Sequence, residues 1–373
     1  MKKILFGITS LTLGGAERVL VDLANRIKDD YTVSILTVYD NGELKSQLDE
    51  SIEVRSIFPK RFEEYSKLEV FKNSRQLRKK EELPEGYDLY VSFLEGPMTR
   101  LFAKDNSSDA KKIVWVHNDI SKVFGNGYKA KIKLKNDLKA YEKYDEIIFV
   151  SDENLEDFKN TYPQIDSKKL KVIRNYIDYK KVLEKAEQEV DDIQTKTDEV
   201  NLVSVCRLVE QKALDRFAAV HKRLLNDGLK HQVFIVGDGP AKSSLNDLIE
   251  KLDIKDSFHL LGSRQNPYPY IKQADYFCLL SYYEGWGMVL DEAKILDKNI
   301  LITDTAAKEC VKKYSKAQVF DNTEDGVYEG LKEVLQNKQQ EKNNTNENIG
   351  EIADYYEDIA MEIEAMFNEK IKE

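Results

Sequence analysis

Cysteine and histidine are scarce in this chain of 373 residues. Its three cysteines, Cys206, Cys278 and Cys310, are far apart and form no Cys-x-x-Cys pair, so neither a disulfide framework nor a cysteine-built zinc site is expected. The four histidines are too few and too scattered for a histidine-built metal centre. We therefore expect reduced cysteines and no bound metal.

Long apolar runs are missing as well. No stretch approaches the roughly 20 apolar residues that a membrane-spanning helix needs. The first residues, MKKILFGITSLTLGG, have the two lysines and the short apolar run of a signal peptide, but no cleavage site follows. We interpret this segment as a buried first strand and expect the protein to stay in the cytoplasm.

The composition is that of a globular protein, with 41% hydrophobic and 33% charged residues. The formal net charge of -10 disfavours nucleic acid as a partner. The first 180 residues are slightly basic, so the acidic excess lies wholly in the remainder. An anionic surface would dock on the first half.

Apolar runs alternate with helical patterns along the chain, which indicates parallel sheets covered by helices. The strands expected before the polar stretch 179–200 are 3–9, 32–38, 52–57, 87–93, 111–117, 145–150 and 171–174. Those expected after it are 201–206, 233–237, 258–262, 276–280 and 299–303. The pattern predicts an α/β protein with two Rossmann-like domains and a ligand cleft between them.

A glycine pair follows the first strand. Gly14 and Gly15 open the first predicted helix, where free N–H groups at the helix start favour an anion such as phosphate. A tight turn without a ligand is an equal alternative at this point. A second glycine turn, at Gly237 in the run VGDGP, is explained by turn chemistry alone.

Two cations flank the start of a later helix. Arg207 comes just after the strand 201–206, and Lys212 comes near the start of the following helix. Cations at the carboxyl end of a strand could neutralise a diphosphate leaving group. A solvated surface pair is the alternative.

The run SYYEGWGMVLDEA, after the strand 276–280, is the most informative motif. Its glycine-rich turn could direct the N–H groups of residues 285–288 at a phosphate, and the carboxylates of Glu284 and Glu292 could bind sugar and ribose hydroxyls. Two surface glutamates are the alternative. A further candidate is His117, at the end of 111–117, which could bind a sugar hydroxyl, stabilise developing charge or be merely structural.

In this order the motifs resemble the GT-B glycosyltransferases of family 4, the retaining transferases of bacterial polysaccharide, glycolipid and sucrose metabolism. The likeness covers nearly the whole chain. It rests on GGAER at Gly14, HND at His117, RLxxQK at Arg207, GDGP at Gly237 and the two glutamates within EGWGMVLDE.

The resemblance implies a GT-B fold, with two Rossmann-like domains whose parallel sheets face a central cleft. Residues 1–180 would bind the acceptor, residues 181–349 would bind the nucleotide sugar, and residues 350–373 would form a helix that crosses back to the first domain. It also implies transfer from a UDP-sugar to a lipid-linked or glycan acceptor. Such enzymes need no metal or other cofactor. They need no protein nucleophile either, because the departing phosphate itself deprotonates the acceptor hydroxyl.

The same resemblance implies roles for individual residues. The catalytic group would be His117, Arg207, Lys212 and Glu284. The donor would be bound by Gly14, Gly15, Gly237, Gly285, Trp286, Gly287, Met288, Val289 and Glu292.

Several positions depart from the family pattern. Cys206 and Ala213 replace common glycines, and Asp297-Lys298-Asn299 replaces the usual Gly-Lys-Pro. The glycine-rich turn expected around 305–309 is absent too. These departures leave the base and sugar preferences open.

A basic segment from Lys122 to Lys139 interleaves lysines with apolar residues, which is typical of a surface that lies on an anionic leaflet or of an ordinary solvated lysine face. A second basic cluster lies at 72–80. With these segments the protein would be peripheral on the inner face of the cell membrane.

Two other functions stay open. A sugar-nucleotide 2-epimerase would use the same two domains but needs additional proton-shuttling groups. A non-catalytic homologue that assists another transferase would be expected to lack Arg207, Lys212 or Glu284. A dinucleotide oxidoreductase is disfavoured because the third glycine of its fingerprint is missing after Gly14 and Gly15.

Overall fold

The protein divides into two compact units. The computed structural model describes residues 1–40, 42–79, 83–105, 109–121, 128–193, 195, 198–337 and 349–372. One unit comprises Met1–Asp178 with Tyr355–Glu373, and the other comprises Tyr179–Asp354. No helix in these described ranges is long and apolar enough to cross a bilayer.

The described part of the first unit is built on a seven-stranded parallel sheet in the order β3-β2-β1-β4-β5-β6-β7. Its strands are β1 (Lys2–Ile8), β2 (Tyr31–Tyr39), β3 (Glu53–Phe58), β4 (Leu89–Ser92), β5 (Lys111–Val116), β6 (Glu146–Phe149) and β7 (Leu170–Val172). Its helices are α1 (Gly15–Ile27), α2 (Lys67–Lys79), α3 (Pro97–Phe102), α4 (Tyr128–Tyr141) and α5 (Asp152–Thr161). The apolar stripe of α1 is buried on the sheet, as its helical spacing predicts.

The second unit, in its described residues, is built on a six-stranded parallel sheet in the order β10-β9-β8-β11-β12-β13. Its strands are β8 (Val200–Val205), β9 (His231–Val236), β10 (Phe258–Gly262), β11 (Tyr276–Leu279), β12 (Asn299–Thr303) and β13 (Ala317–Phe320). Its helices are α6 (Tyr179–Ala186), α7 (Leu214–Asn226), α8 (Lys242–Leu252), α9 (Tyr268–Gln273), α10 (Met288–Ile295), α11 (Lys308–Val311) and α12 (Glu324–Asn337). Short 3-10 turns occur at Glu43–Gln47, Phe62–Glu64, Ser167–Lys169 and Glu210–Lys212.

The predicted α/β class with two parallel sheets is confirmed. The sequence pattern missed β13, an edge strand whose two central residues are exposed and which therefore carries little apolar signal. The tract 336–348 is rich in Gln, Asn and Lys, a composition that predicts a loop or a frayed helix end, and it lies mostly outside the described residues.

The last helix, α13 (Ile349–Lys372), is fastened to the first unit by both charge and packing. Arg26 of α1 pairs with Glu357 at 2.9 Å. The ring of Phe367 lies 6.1 Å from that of Phe6 and 6.2 Å from that of Trp115, in edge-to-face contacts at the centre of the core. Residues after 354 therefore complete a core whose other members lie before residue 179.

One departure from the family pattern has a backbone cost. Ala213 caps α7 with φ 50° and ψ 36°, in the left-handed region that favours glycine. Its methyl group is fully buried, so replacement by glycine removes strain but also removes buried apolar surface.

We expect Ala213→Gly to leave the free energy of unfolding within about 0.5 kcal/mol of the parent, because strain relief and the lost methyl contact, each about 1 kcal/mol, offset each other. Ala218→Gly is the matched control, an equally buried alanine inside α7. It should cost about 1.5 to 2 kcal/mol, since both helix propensity and burial are lost. Urea unfolding followed by tryptophan fluorescence compares the two, and equal losses would contradict the strain argument.

Candidate functional site

The candidate residues of the second unit lie at the topological switch point of its sheet, where the strand order reverses. β8 stands between β9 and β11, so the chain adds strands on one side of β8 and then on the other. In open parallel sheets, ligands bind beyond the carboxyl ends of the strands at such a switch point. The segments after β8 and β11 carry Lys212 and Glu284.

Lys212 and Glu284 form an ion pair between these two segments. The Lys212 ammonium contacts Glu284 Oε2, and the side chains are 16% and 12% exposed. The Ser281 hydroxyl donates to the same oxygen at 3.2 Å. The structure thus brings together two of the predicted catalytic residues in a partly desolvated position, where charge interactions are stronger than in water.

Gln211 fixes the backbone on either side of this pair. Its carbonyl accepts from the Tyr282 N–H at 2.9 Å, and its side-chain amide donates to the Tyr283 carbonyl at 3.0 Å. The two loops are therefore tied by main-chain contacts as well as by charge. These hydrogen bonds hold the backbone that carries the ion pair in a fixed position.

Arg207 lies in the same segment after β8 as Lys212 and is exposed. The structure gives its guanidinium no ion-pair partner among the described residues. The turn after β9 braces its backbone, since the Asp238 carbonyl accepts from the Leu208 N–H at 3.0 Å. Arg207 is thus a charge that is available to an anionic ligand.

Close backbone packing explains the glycines of the GDGP turn. A Cβ at Gly237, where φ is 149°, would lie 1.9 Å from the Cys206 carbonyl oxygen, and a Cβ at Gly239 would lie 2.4 Å from the Leu208 carbonyl oxygen. No side chain fits at either place. A donor-binding role for Gly237 is therefore not needed to account for it.

The glycine-rich turn before α10 has one open and one constrained glycine. A Cβ at Gly285 would meet nothing within 4 Å, whereas Gly287 has φ 72° and lies close to Leu279. Gly287 precedes Met288 and Val289, the first residues of α10, and supplies no side-chain cap to the helix. The space beside Gly285 and the uncapped helix start suit a ligand that approaches the backbone.

Trp286 points inward. Its side chain is 9% exposed, and the indole N–H donates to Asp291 Oδ2 at 2.7 Å, while Asp291 also pairs with Lys294 at 2.7 Å. The indole therefore anchors the turn to α10. Only the backbone of Trp286 remains for the donor contact predicted from the sequence.

Glu292 lies on α10 and is 7% exposed. Its Oε1 accepts a hydrogen bond from the Tyr268 hydroxyl at 3.2 Å. A buried carboxylate needs such polar partners, because an unpaired charge is costly to bury. Glu292 lies one turn into α10, and the ribose contact that the family resemblance implies stays a prediction.

The first unit carries its own switch point, at β1 between β2 and β4. Gly14 lies after β1 in extended backbone and caps α1 without a side-chain bond, and Gly15 is the first residue of α1. His117 follows β5, with its ring 5.3 Å from that of Phe93. The predicted residues of this unit thus lie at the carboxyl edge of one sheet.

His117 is neutral near pH 7. Burial lowers the pKa of the imidazole to about 4, and an interaction with the Phe93 backbone offsets this only in part. Its Nε2 is buried and has no hydrogen-bond partner among the described residues. The ring can therefore exchange a hydrogen bond with a ligand but does not supply a positive charge.

Two family models together cover most of the chain. The model described as Glycosyltransferase Family 4 matches residues 13–181, and the model described as Glycosyl transferases group 1 matches residues 185–353. The chain belongs to the GT-B glycosyltransferases of family 4. It is accordingly a glycosyltransferase.

Among the relatives of this glycosyltransferase is a Campylobacter jejuni protein named N-acetylgalactosamine-N,N'-diacetylbacillosaminyl-diphospho-undecaprenol 4-alpha-N-acetylgalactosaminyltransferase, which is 27% identical over 90% of this chain and 91% of that one. An uncharacterized glycosyltransferase of Methanocaldococcus jannaschii is 27% identical, and the match spans 53% of this chain and about half of that relative, 49%. The crystal structure of HepE from Anabaena with UDP and glucose is similar in fold, with a TM-score of 0.70, 18% identity and 91% of each chain covered.

Arg216 is a supporting residue of the glycosyltransferase that the sequence reasoning missed. It lies in the buried face of α7, donates to the Leu280 carbonyl at 2.7 Å and stacks on Tyr282 at 4.6 Å. It thereby holds the end of β11 from which the Glu284 turn starts. A cation within the apolar stripe of α7 was the available signal.

Glu95 was missed as well. It follows β4, and its carboxylate accepts from the His117 backbone N–H at 3.0 Å and from the Asn118 side-chain amide. Desolvation raises the pKa of the Glu95 carboxyl above its usual value. No periodicity marks this residue, because it lies in a turn.

We expect the His117 imidazole to stay neutral from pH 8 to pH 5, because its folded pKa is about 4. The unfolded chain takes up this proton at about 6.5, so it binds more protons than the folded chain between about pH 6.5 and pH 4. Stability from this group therefore falls as the pH drops through that window, by at most about 3 kcal/mol.

An NMR titration of the histidine ring signals measures this pKa directly, and His117→Asn identifies the signal. The same substitution should flatten the fall in stability below pH 6.5. A His117 titration midpoint near 6.5 would show that the ring is solvated and would remove the argument for a neutral hydrogen-bonding role.

Proposed function

We propose that this glycosyltransferase moves a sugar from a UDP-sugar, with retention of anomeric configuration, to a lipid-linked or glycan acceptor of bacterial surface polysaccharide synthesis. The reaction would take place in the cytoplasm, at the inner face of the membrane. The names of the relatives support the acceptor class, since the Campylobacter jejuni enzyme is named for an undecaprenol diphosphate acceptor. UDP is present in the HepE structure, which supports the choice of nucleotide.

The Lys212–Glu284 pair is the observation that carries the proposal. A carboxylate and an ammonium in contact at a switch point offer one acceptor and one cation to a ligand that has hydroxyls and phosphates side by side. A sugar nucleotide has this combination. Arg207 adds a second cation, and Glu292 adds a carboxylate for the ribose.

The proposed reaction needs no protein nucleophile. The bond between the anomeric carbon and the diphosphate oxygen breaks, the bond to the acceptor oxygen forms on the same face, and the acceptor proton passes to the departing diphosphate. Lys212 and Arg207 stabilise the negative charge that develops on this leaving group. Glu284 and the neutral His117 would bind hydroxyls of the transferred sugar.

Glu284 would also hold Lys212 in place while the donor is absent. A diphosphate must share the ammonium with this carboxylate, so the carboxylate opposes the binding of the bare nucleotide and favours a donor whose sugar hydroxyls use it. The same pair would therefore contribute both to charge stabilisation and to sugar recognition.

We expect Glu284→Gln to bind UDP at least threefold more tightly than the parent, because a negative charge beside the diphosphate is removed, while transfer falls more than 100-fold. Lys212→Gln should weaken UDP binding at least tenfold and also abolish transfer. Calorimetric titration with UDP and product analysis with a panel of sugar nucleotides, in the presence of EDTA because no metal is proposed, measure both.

Asp297→Asn is the matched control, since Asp297 pairs with Lys316 at 2.6 Å with similar burial, 16% and 21% exposed. It should leave UDP binding and transfer within twofold of the parent. UDP binding that is weaker in Glu284→Gln than in the parent would contradict the proposed repulsion, and a failure to transfer from any sugar nucleotide would contradict the function.

The membrane-facing surface is proposed on the first unit. Of the basic segment 122–139, residues 122–127 lie outside the described residues, as do the side chains of 128–131. In the described part of α4, Ile132 is 48% exposed and Lys133, Lys135 and Lys139 are exposed around it. An apolar side chain among lysines fits an anionic leaflet.

A second exposed set supports the same surface type. Phe62, Leu68 and Phe71 are 46%, 63% and 55% exposed in the segment that contains the basic cluster of α2. Large apolar side chains that remain exposed in this way are characteristic of interaction surfaces.

We expect the protein to bind vesicles with phosphatidylglycerol at least tenfold more tightly than pure phosphatidylcholine vesicles. Lys133→Gln with Lys135→Gln should weaken binding to the anionic vesicles about 30-fold, since each lysine near the surface contributes about 1 kcal/mol and about 1.4 kcal/mol corresponds to a factor of ten. Lys251→Gln with Lys255→Gln, two exposed lysines of the second unit, is the control. Vesicle sedimentation measures the binding of the parent and of both double variants to each kind of vesicle. Equal binding of the parent to both lipids would contradict the proposal.

A further inference from the structure

The turn after β4 is locked by buried hydroxyl groups. The Thr99 hydroxyl donates to the Leu94 carbonyl and accepts from the Gly96 N–H, both at 3.1 Å, and lies 3.1 Å from the Ser92 hydroxyl. Gly96 has φ 129°, a conformation that residues with a side chain rarely adopt. Thr99 and Ser92 are both almost wholly buried. The residue between Leu94 and Gly96 is therefore held in one place.

That residue is Glu95, and its carboxylate is used twice. Oε2 accepts from the backbone N–H of His117 at 3.0 Å, and Oε1 accepts from the side-chain amide of Asn118. No lysine or arginine of the described residues forms an ion pair with it. A desolvated carboxylate without a cation is costly, and a neutral side chain could have joined two loops at less cost.

His117 is held from the same segment at two points. The Phe93 ring lies against the imidazole, with centroids 5.3 Å apart, and Glu95 holds the His117 backbone. The Nε2 atom of the His117 ring is buried and has no hydrogen-bond partner among the described residues. A buried polar atom of this kind needs a hydrogen bond from a ligand or a water molecule.

We propose that Glu95 is a positioning residue of the transfer site, which directs the imidazole of His117 by fixing the His117–Asn118 turn to the end of β4. This inference rests on the proposed role of His117 as a hydrogen-bonding group for the substrate. Glu95 itself acts through His117 and is not assigned a contact with the substrate. A displacement of a reacting or binding group by about 1 Å commonly costs about 100-fold in rate, which sets the scale of the effect.

The test compares Glu95→Gln, Glu95→Ala and Asn118→Ala with the parent. We expect kcat to fall 10-fold to 100-fold in Glu95→Ala and less in the other two, which keep part of the contact. UDP affinity should stay within twofold, because neither Glu95 nor His117 is assigned a contact with the nucleotide. Asp157→Asn is the matched control, since Asp157 accepts from the N–H and hydroxyl of Ser121, four residues after His117. It should leave kcat within twofold.

Two further readouts separate positioning from general loss of structure. The NMR signal of the His117 ring should shift in each Glu95 variant, while those of His221, His231 and His259, all in the second unit, should not. The double variant Glu95→Ala with His117→Ala should be no slower than His117→Ala alone, because a residue that acts through His117 has no effect without it.

An unchanged kcat and an unmoved His117 signal in both Glu95 variants would overturn the inference, as would multiplicative losses in the double variant. Should Glu95→Ala fail to fold, Asn118→Ala and Glu95→Gln carry the same comparison. If the parent transfers from no sugar nucleotide while the His117 signal still moves, the proposed function fails but the link between Glu95 and His117 stands.

Discussion

The attraction between Lys212 and Glu284 is the interaction on which the rest of the second unit's candidate site depends. It joins two loops that follow neighbouring strands, and the surrounding groups either brace those loops or extend them. Gln211 ties the backbones, Arg216 holds the end of β11, and Trp286 anchors the turn to α10. Charge in a half-buried position is stable only with such support, since an ammonium or carboxylate alone would be drawn to solvent.

In the first unit, burial disfavours charge on the candidate residues, in contrast to the charged pair of the second unit. There the environment removes charge from His117 and makes the Glu95 carboxylate costly. The second unit thus carries a charged pair in a partly exposed position, whereas the first unit carries neutral or enclosed hydrogen-bonding groups. This difference follows from the local surroundings of each group rather than from residue type alone.

The strands and their parallel arrangement could be predicted because each buried strand is a short apolar run between turn signals. β13 escaped because its central residues are exposed. The position of Lys212 and Glu284 after the ends of strands could be predicted, because both lie in recognisable motifs that follow apolar runs. The inward direction of the Trp286 indole could not, since it depends on Asp291, a contact that only packing creates.

Glu95 and Arg216 could not be predicted from the sequence, for a different reason. Both act through backbone groups of segments distant in sequence, at 117 and at 280, and no spacing rule connects such partners. Glycines were ambiguous for a related reason. Gly237 and Gly285 look alike in sequence, yet one is enclosed by backbone and the other faces open space.

The arrangement of α13 has a consequence for biosynthesis. Phe367 packs against Phe6 and Trp115, so the central core of the first unit includes a residue that is synthesised only after residues 179–354. The second unit is continuous in sequence and can complete its own core earlier. During translation the core of the first unit therefore stays incomplete, with an aromatic surface around Phe6 exposed, until the last helix has been synthesised. The order of synthesis is thus the reverse of the order in which the two cores can close.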